Sequence, residues 1–152
     1  MKWIHTDLER YIEAKEYVDT LLIPLIPFQM KRDADLAKNA LQSEVFSLFT
    51  NEMEKELTGR VMLLPTYYYV KTPDLSQEID RIGTWLADAN EQPFKHVFFV
   101  TFDATWRKVE QSLDGTLLWL PITYSGDIHS PEMHTTIRDH VEQVVELIKS
   151  DW

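Results

Sequence analysis

The chain has 152 residues, a formal net charge of −10 and no cysteine. Its length suits one domain, and 44% hydrophobic with 26% charged residues is ordinary globular composition. The missing cysteines exclude disulfides, thiolate metal sites and cysteine nucleophiles, and the acidic balance argues against nucleic acid and anionic membrane as partners.

The first predicted element is an amphipathic helix. Thr6 and Glu9 stand in a capping-box pattern, which predicts a helix that runs from Thr6 to about Tyr17. Met1–Arg10 is charged rather than apolar, so we expect no signal peptide. The longest apolar run, Leu21–Phe28, is too short to span a bilayer. These features favour a soluble, cytoplasmic protein.

A strand and a long helix follow. Leu21–Ile26 is apolar on both faces, as expected of a strand that is covered from both sides. Asp33 begins a long helical pattern, and Gly59 is placed to end it. A helix of that length would be about 39 Å long, so a break near Lys38–Asn39 is an alternative.

The second half repeats this alternation. Three more strands are predicted, at Val61–Val70, His96–Phe102 and Leu117–Ile122. A helix follows each of them, opened in turn by Thr72 with Pro73 at the first helical position, by Asp103, and by Ser130 before Pro131.

The element order predicts an α/β fold. Strands that alternate with helices favour parallel pairing, because each helix returns the chain to the same end of the sheet. We predict a single domain over residues 1–152, a three-layer α/β/α sandwich with a four-stranded, mostly parallel, Rossmann-like sheet in the order 2-1-3-4. Pro24, Pro65 and Pro121 lie late in their strands. Strand ends or bulges explain such prolines, and a crevice between splayed strand ends is the alternative.

Several familiar sites are missing. The four glycines are scattered singly, so there is no phosphate-binding loop and no dinucleotide turn, and a Gly-x-Ser-x-Gly elbow is absent as well. No two histidines are four residues apart. A metal at Asp127, His129 and His134 is conceivable, but loop polarity accounts for these residues more simply. We predict no catalytic constellation, no metal and no cofactor.

A ligand site, if there is one, belongs at the carboxyl ends of the strands, where ligands of open parallel sheets bind. The candidate ligand-binding residues near these ends are Asp103, Thr105, Arg107, Tyr67, Arg32 and His129. Asp103 could bind a metal ion or act as a base, although capping the next helix accounts for it more simply. Arg32 and Arg107 suit an anion near helix N-termini, with salt pairing as the alternative.

The aromatic residues allow a contact surface. Tyr67–Tyr69 must alternate across a strand, so they either pack in the core and on the surface or form part of an interface. Together with Trp85 they could support a homodimer. Trp3 and Trp152 are expected to dock the chain ends against the body of the protein.

The whole chain also resembles a family of Bacillus-type bacteria, DUF2487. The resemblance is carried by four blocks: Met1–Trp3, Glu16–Thr20 with Ile23–Leu25, Gly59–Arg60 with Leu63–Pro65, and Phe99–Asp103. It implies a bacterial cytoplasmic protein and supplies no activity, cofactor or catalytic residue.

Two functional hypotheses follow. The first is a non-catalytic interaction or regulatory module with a protein partner, because no nucleophile, base or metal constellation accompanies the well-specified fold. The alternative is a small-molecule-binding protein or enzyme whose site lies at the carboxyl edge around Asp103.

Overall fold

The computed structural model describes residues 1–121, 124 and 126–152. The α-helices are α1 (His5–Glu13), α2 (Asp33–Glu56), α3 (Ser76–Ala89) and α4 (Pro131–Asp151). The strands are β1 (Thr20–Phe28), β2 (Val61–Leu63), β3 (Tyr67–Val70), β4 (His96–Thr101) and β5 (Thr116–Trp119). Two 3₁₀ helices, Lys15–Tyr17 and Ala104–Ser112, precede β1 and β5. Among these residues no helix is long and apolar enough to cross a membrane.

The strands form one parallel sheet in the order β2-β1-β4-β5, with β3 also paired to β1. The predicted order 2-1-3-4 is therefore confirmed, because β2 and β3 together make up the predicted second strand. The predicted end of the fourth strand, Ile122, lies outside the described residues.

The prediction of four strands is wrong, because the segment Val61–Val70 divides into β2 and β3. From Leu22 to Leu25 the strand β1 advances three residues, whereas its partner advances four, from Leu63 to Tyr67. Proline has no N–H to donate, so Pro65 interrupts the ladder and the extra residue is accommodated there.

Helices cover both faces of the sheet, which confirms the three layers. On one face Leu22 and Ile26 pack in a core cluster with residues of α2 and α4, such as Phe49 and Val141. On the other face Ile23 and Leu25 pack with residues of α3 and of the second 3₁₀ helix. Leu21, on this same face, packs with Tyr11 of α1. Side chains of a strand alternate between faces, so β1 supplies both cores at once.

Two predicted helix starts are wrong. Helix α1 begins at His5 without a side-chain cap, and Asp7 instead accepts a hydrogen bond from the backbone N–H of Lys2 (2.8 Å). The helix also ends at Glu13 rather than near Tyr17. Helix α3 begins at Ser76, because turns closed by the side chains of Thr72 and Asp74 precede it.

Other predicted helix ends are confirmed. The hydroxyl of Ser130 accepts from the backbone N–H of Met133 (3.1 Å), with Pro131 at the first helical position. Gly59 follows α2 with φ of +93°, in the left-handed region that favours glycine. Helix α2 runs from Asp33 to Glu56 without the break considered near Lys38–Asn39.

Candidate functional site

A hydrogen-bond network surrounds Asp103 at the carboxyl end of β4. The hydroxyl of Thr101 donates to the carbonyl of Leu25 (2.8 Å) and accepts from the N–H of Asp103 (3.0 Å). One carboxylate oxygen of Asp103 accepts from the N–H of Thr105 (3.0 Å) and so caps the second 3₁₀ helix. The other oxygen accepts from the hydroxyl of Tyr69 (2.6 Å).

Tyr69 extends this network into the core. Its hydroxyl also accepts from Nε1 of Trp106 (2.7 Å), and the two rings meet edge to face with centroids 5.4 Å apart. Burial, reinforced by the hydrogen bond to Asp103, raises the pKa of Tyr69 far above its usual range. Tyr69 therefore remains a protonated donor at neutral pH, and the network ties β3 to the second 3₁₀ helix.

Tyr67 lies two residues before Tyr69 in β3 and on the same face of the strand. Its ring stacks on Tyr69 (6.1 Å between centroids) and meets Trp85 of α3 edge to face (5.2 Å). Its hydroxyl donates to Glu78 of α3 (3.1 Å). Burial, followed by this hydrogen bond, raises the pKa of Tyr67. Tyr67 thus connects the strand to helix α3.

Arg107 packs elsewhere, on strand β5. Its guanidinium lies 4.3 Å from the centre of the Trp119 ring, a cation–π arrangement. Nε1 of Trp119 is buried and has no hydrogen-bond partner within residues 1–121, 124 and 126–152.

Arg32 and His129 stand apart from the other candidates. Arg32 pairs with Asp35 (3.3 Å) at the start of α2, and the N–H of His129 donates to Asp127 (2.9 Å). In the described part of the chain neither is bonded to another of the six candidates. The structure joins Asp103 with Thr105 directly and with Tyr67 through Tyr69. A ligand-binding role for the six residues stays a prediction.

In the described part of the chain, three cavities have linings that contain none of the six candidates. A polar cavity of about 320 Å³ lies at the amino ends of β4 and β5, next to Lys95, His96 and Asp114. A smaller one of about 150 Å³ lies between α2 and α4. Within the described ranges no group of three His, Asp or Glu side chains could hold a metal ion.

The largest of the three cavities, of about 810 Å³, is a mainly apolar groove between α1 and α3, here called the α1–α3 groove. Helix α1 contributes Leu8, Tyr11 and Ile12 to one wall, next to Lys15 of the first 3₁₀ helix, and α3 contributes Thr84, Trp85, Asp88 and Ala89 to the other. Met62 and Leu64 line the bottom, and Trp3 stands at the rim. The volume is within the range of ligand-binding clefts.

Large apolar side chains of this groove are open to solvent. Trp3 is 62% exposed and Ile12 is 67% exposed. The prediction that Trp3 docks against the body is therefore wrong. The backbone explains why: the N–H of Leu63 donates to the carbonyl of Met1 (2.7 Å), so the chain follows the sheet edge and Trp3 falls in the turn before α1.

Trp152 does dock, as predicted. Its Nε1 donates to the hydroxyl of Thr20 (2.9 Å), and the guanidinium of Arg60 lies 3.8 Å from the centre of its ring.

The sequence comparisons confirm the resemblance to the DUF2487 family. The family model described as a protein of unknown function, DUF2487, matches residues 9–152. The chain is also 36% identical over 110 residues to the "Uncharacterized protein YpiF" of Bacillus subtilis (strain 168), across 70% of this chain and 69% of that protein. No solved structure gives a significant match. The chain belongs to the DUF2487 family.

Proposed function

We propose that the protein is a non-catalytic interaction module that binds a protein partner in the α1–α3 groove. The observation that carries this proposal is the groove itself, mainly apolar and about 810 Å³ in volume, with Trp3 and Ile12 largely exposed. Exposed apolar side chains that gather in a cleft, rather than scatter singly, are typical of binding surfaces.

The carboxyl edge supports this choice over an enzyme. Both carboxylate oxygens of Asp103 already accept hydrogen bonds, one from Thr105 and one from Tyr69. A general base needs a free lone pair within reach of its substrate. These two bonds leave other lone pairs of the carboxylate open, but Asp103 is only 9% exposed, so a substrate has little access to them, and this disfavours the enzymatic alternative.

We also propose a cytoplasmic location for the protein and its partner. A composition without cysteine suits a reducing compartment, although it does not require one.

The test is a photo-activated cross-linking amino acid introduced in place of Ile12 in the full chain, in cells of the native host. The control carries the same amino acid in place of Leu147, which is 55% exposed on α4, across the sheet from the groove. We expect a cross-linked protein from position 12 and none from position 147. Equal cross-linking at both positions, or none at position 12, would contradict the proposal.

A second measurement uses the captured partner after purification. Burial of one isoleucine side chain contributes about 1.5–3 kcal/mol, so Ile12→Gln should weaken binding by about 10- to 100-fold in Kd. Leu147→Gln is the matched control and should leave Kd unchanged. Unchanged binding by Ile12→Gln would show that the partner docks elsewhere.

A further inference from the structure

We infer that the partner segment is an amphipathic helix whose apolar face is flanked by basic residues. This inference rests on the proposed function and specifies what the α1–α3 groove receives. Three properties of the groove carry it: the shape of its walls, the state of the neighbouring β2 edge, and the charge of the side chains that line it.

The walls are shaped to receive a helix. Both are helical, with nine residues in α1 and fourteen in α3, or about 13 Å and 21 Å in length. Leu8 and Ile12 on α1, and Trp85 and Ala89 on α3, are spaced four residues apart and line the cavity. Side chains at that spacing form the ridges between which a third helix packs.

Beside the groove, an extended segment would find no free edge of β2 to pair with. The outer edge of β2 is already occupied by the start of the chain. The amino group of Met1 bonds to the carbonyl of Val61 (2.6 Å), the N–H of Leu63 bonds to the carbonyl of Met1 (2.7 Å), and Lys2 forms a parallel bridge with Leu63. Strand addition needs free backbone groups along such an edge, so a helix is favoured.

Charge selects a basic partner. Three charged side chains line the groove, Lys15, Asp88 and Glu91, and both carboxylates lie on the α3 side. Asp88 and Glu91 line the groove and are exposed, whereas Lys15 is half-buried beside the ring of Tyr11 (5.9 Å). The two exposed carboxylates on the α3 side attract basic flanks of a bound helix and repel acidic ones.

The same charges disfavour a second copy of this chain as the occupant. A two-fold interface through the groove would place Asp88 and Glu91 of both copies in one interface, and each chain carries a net charge of −10. A homodimer through this groove is therefore an outcome that would overturn the inference.

The experiment titrates the full chain with three labelled peptides of about fifteen residues, followed by fluorescence anisotropy. Two are helical and share one leucine face, flanked by lysine in the first and by glutamate in the second; the third is a scramble of the lysine peptide. We expect the lysine peptide to bind at least tenfold more tightly than either of the others. Its affinity should fall as salt is raised from about 50 to about 300 mM.

Matched variants locate the interaction. Asp88→Asn with Glu91→Gln should weaken the lysine peptide by about three- to tenfold, since each exposed ion pair contributes modestly. Asp139→Asn with Glu146→Gln on α4 removes the same charge far from the groove and should have no effect. If both double variants lose the same affinity for the lysine peptide, the attraction comes from the net charge of the protein rather than from the groove, and the inference is overturned.

The outcomes separate the inference from the proposed function. If the lysine and glutamate peptides bind equally and Ile12→Gln weakens both, the groove binds a helix but the charge inference is wrong. If neither peptide binds while position 12 cross-links a partner, the function stands and the helical occupant is wrong. Sedimentation that shows a dimer lost in Ile12→Gln would identify a second copy as the occupant. Failure of both the peptides and the cross-link would refute both proposals.

Discussion

Removal of one oxygen atom, in Tyr69→Phe, should destabilise the protein by about 3 kcal/mol. The hydroxyl of Tyr69 donates to Asp103 and accepts from Nε1 of Trp106, which is fully buried. An unsatisfied buried donor costs about 1–3 kcal/mol, and a hydrogen bond to a charged group contributes about 1.5–3 kcal/mol. Asp103 retains slight exposure, so water can replace part of the hydrogen bond that it loses. The expected total therefore lies near the lower end of the sum of these two ranges.

Urea unfolding at pH 7, followed by tryptophan fluorescence and by far-ultraviolet circular dichroism, measures this loss. We propose that residues 1–152 form one domain, so the two signals should report one transition. Tyr68→Phe is the matched control, because Tyr68 is 52% exposed and its hydroxyl has no hydrogen bond within the described ranges. It should change stability by less than about 0.5 kcal/mol.

High pH gives an independent check on the same residue. Tyrosine ordinarily ionises near pH 10.0, whereas burial and the bond to Asp103 raise the pKa of Tyr69 in the folded protein. The contribution of Tyr69 to the free energy of unfolding is therefore complete below pH 10. It declines as the pH rises above 10, because only the unfolded chain loses the proton there. The advantage of Tyr69 over phenylalanine should be about 1.4 kcal/mol smaller at pH 11 than at pH 7. A Tyr69→Phe variant that costs no more than Tyr68→Phe would refute the structural role of the network.

Three further predictions concern other parts of the fold. Gly115→Ala should cost about 1–3 kcal/mol in urea unfolding, because the added Cβ would lie 2.8 Å from Cε2 of Phe99. Ser130→Ala should cost about 1 kcal/mol in the same assay, since it removes the cap of α4, and Ser130→Asp should restore most of that loss. Burial raises the pKa of Asp19, but the hydrogen bonds from Arg60 (3.0 and 3.2 Å) outweigh it and the net shift is downward. Its stabilisation is thus present at neutral pH and lost as the pH falls below about 4, so Asp19→Asn should flatten the dependence of unfolding free energy on pH in acid.

The strand order was predictable because it follows from the order of apolar and helical segments and from the handedness of their connections. Apolar runs separated by helical segments allow few strand orders in a sheet that is covered on both faces. The preference for right-handed crossovers reduces their number further. The division between β2 and β3 was not resolved, although Pro65 was recognised as a bulge or strand end. Sequence indicates where a ladder bond is lost, but not whether the partner strand continues pairing beyond it.

Helix starts were predicted less well where several side chains compete for the same role. Near α1 the pattern favours Thr6 as a cap, yet Asp7 is the residue that accepts from the backbone of Lys2. The difference follows from the edge pairing of Met1 and Lys2 with β2, a contact between residues about sixty positions apart. Local patterns carry no information about such a contact.

The candidate site was also predictable only in part from the sequence. Asp103 was recognised as a helix cap or a functional carboxylate, but its partner Tyr69 was not among the candidates. The alternation of Tyr67–Tyr69 placed Tyr67 and Tyr69 on one face, which was the available signal. The α1–α3 groove had a weaker signal: Ile12 follows the buried Tyr11 and widens the apolar stripe of α1 beyond what the sheet covers. The gap between two helices depends on packing, which no local pattern specifies.

The carboxyl edge and the groove are linked through one face of β3. Asp103 bonds to Tyr69, Tyr69 stacks on Tyr67, and Tyr67 packs on Trp85 in the groove wall. The hydrogen bond from Tyr67 to Glu78 fixes a second point of α3. Asp103 and Tyr67, which the sequence indicates as candidate ligand-binding residues, therefore help to hold the helix that forms one wall of the groove. A buried network that is fully satisfied rigidifies its neighbours, which is what a preformed apolar cleft requires to bind without reordering its walls.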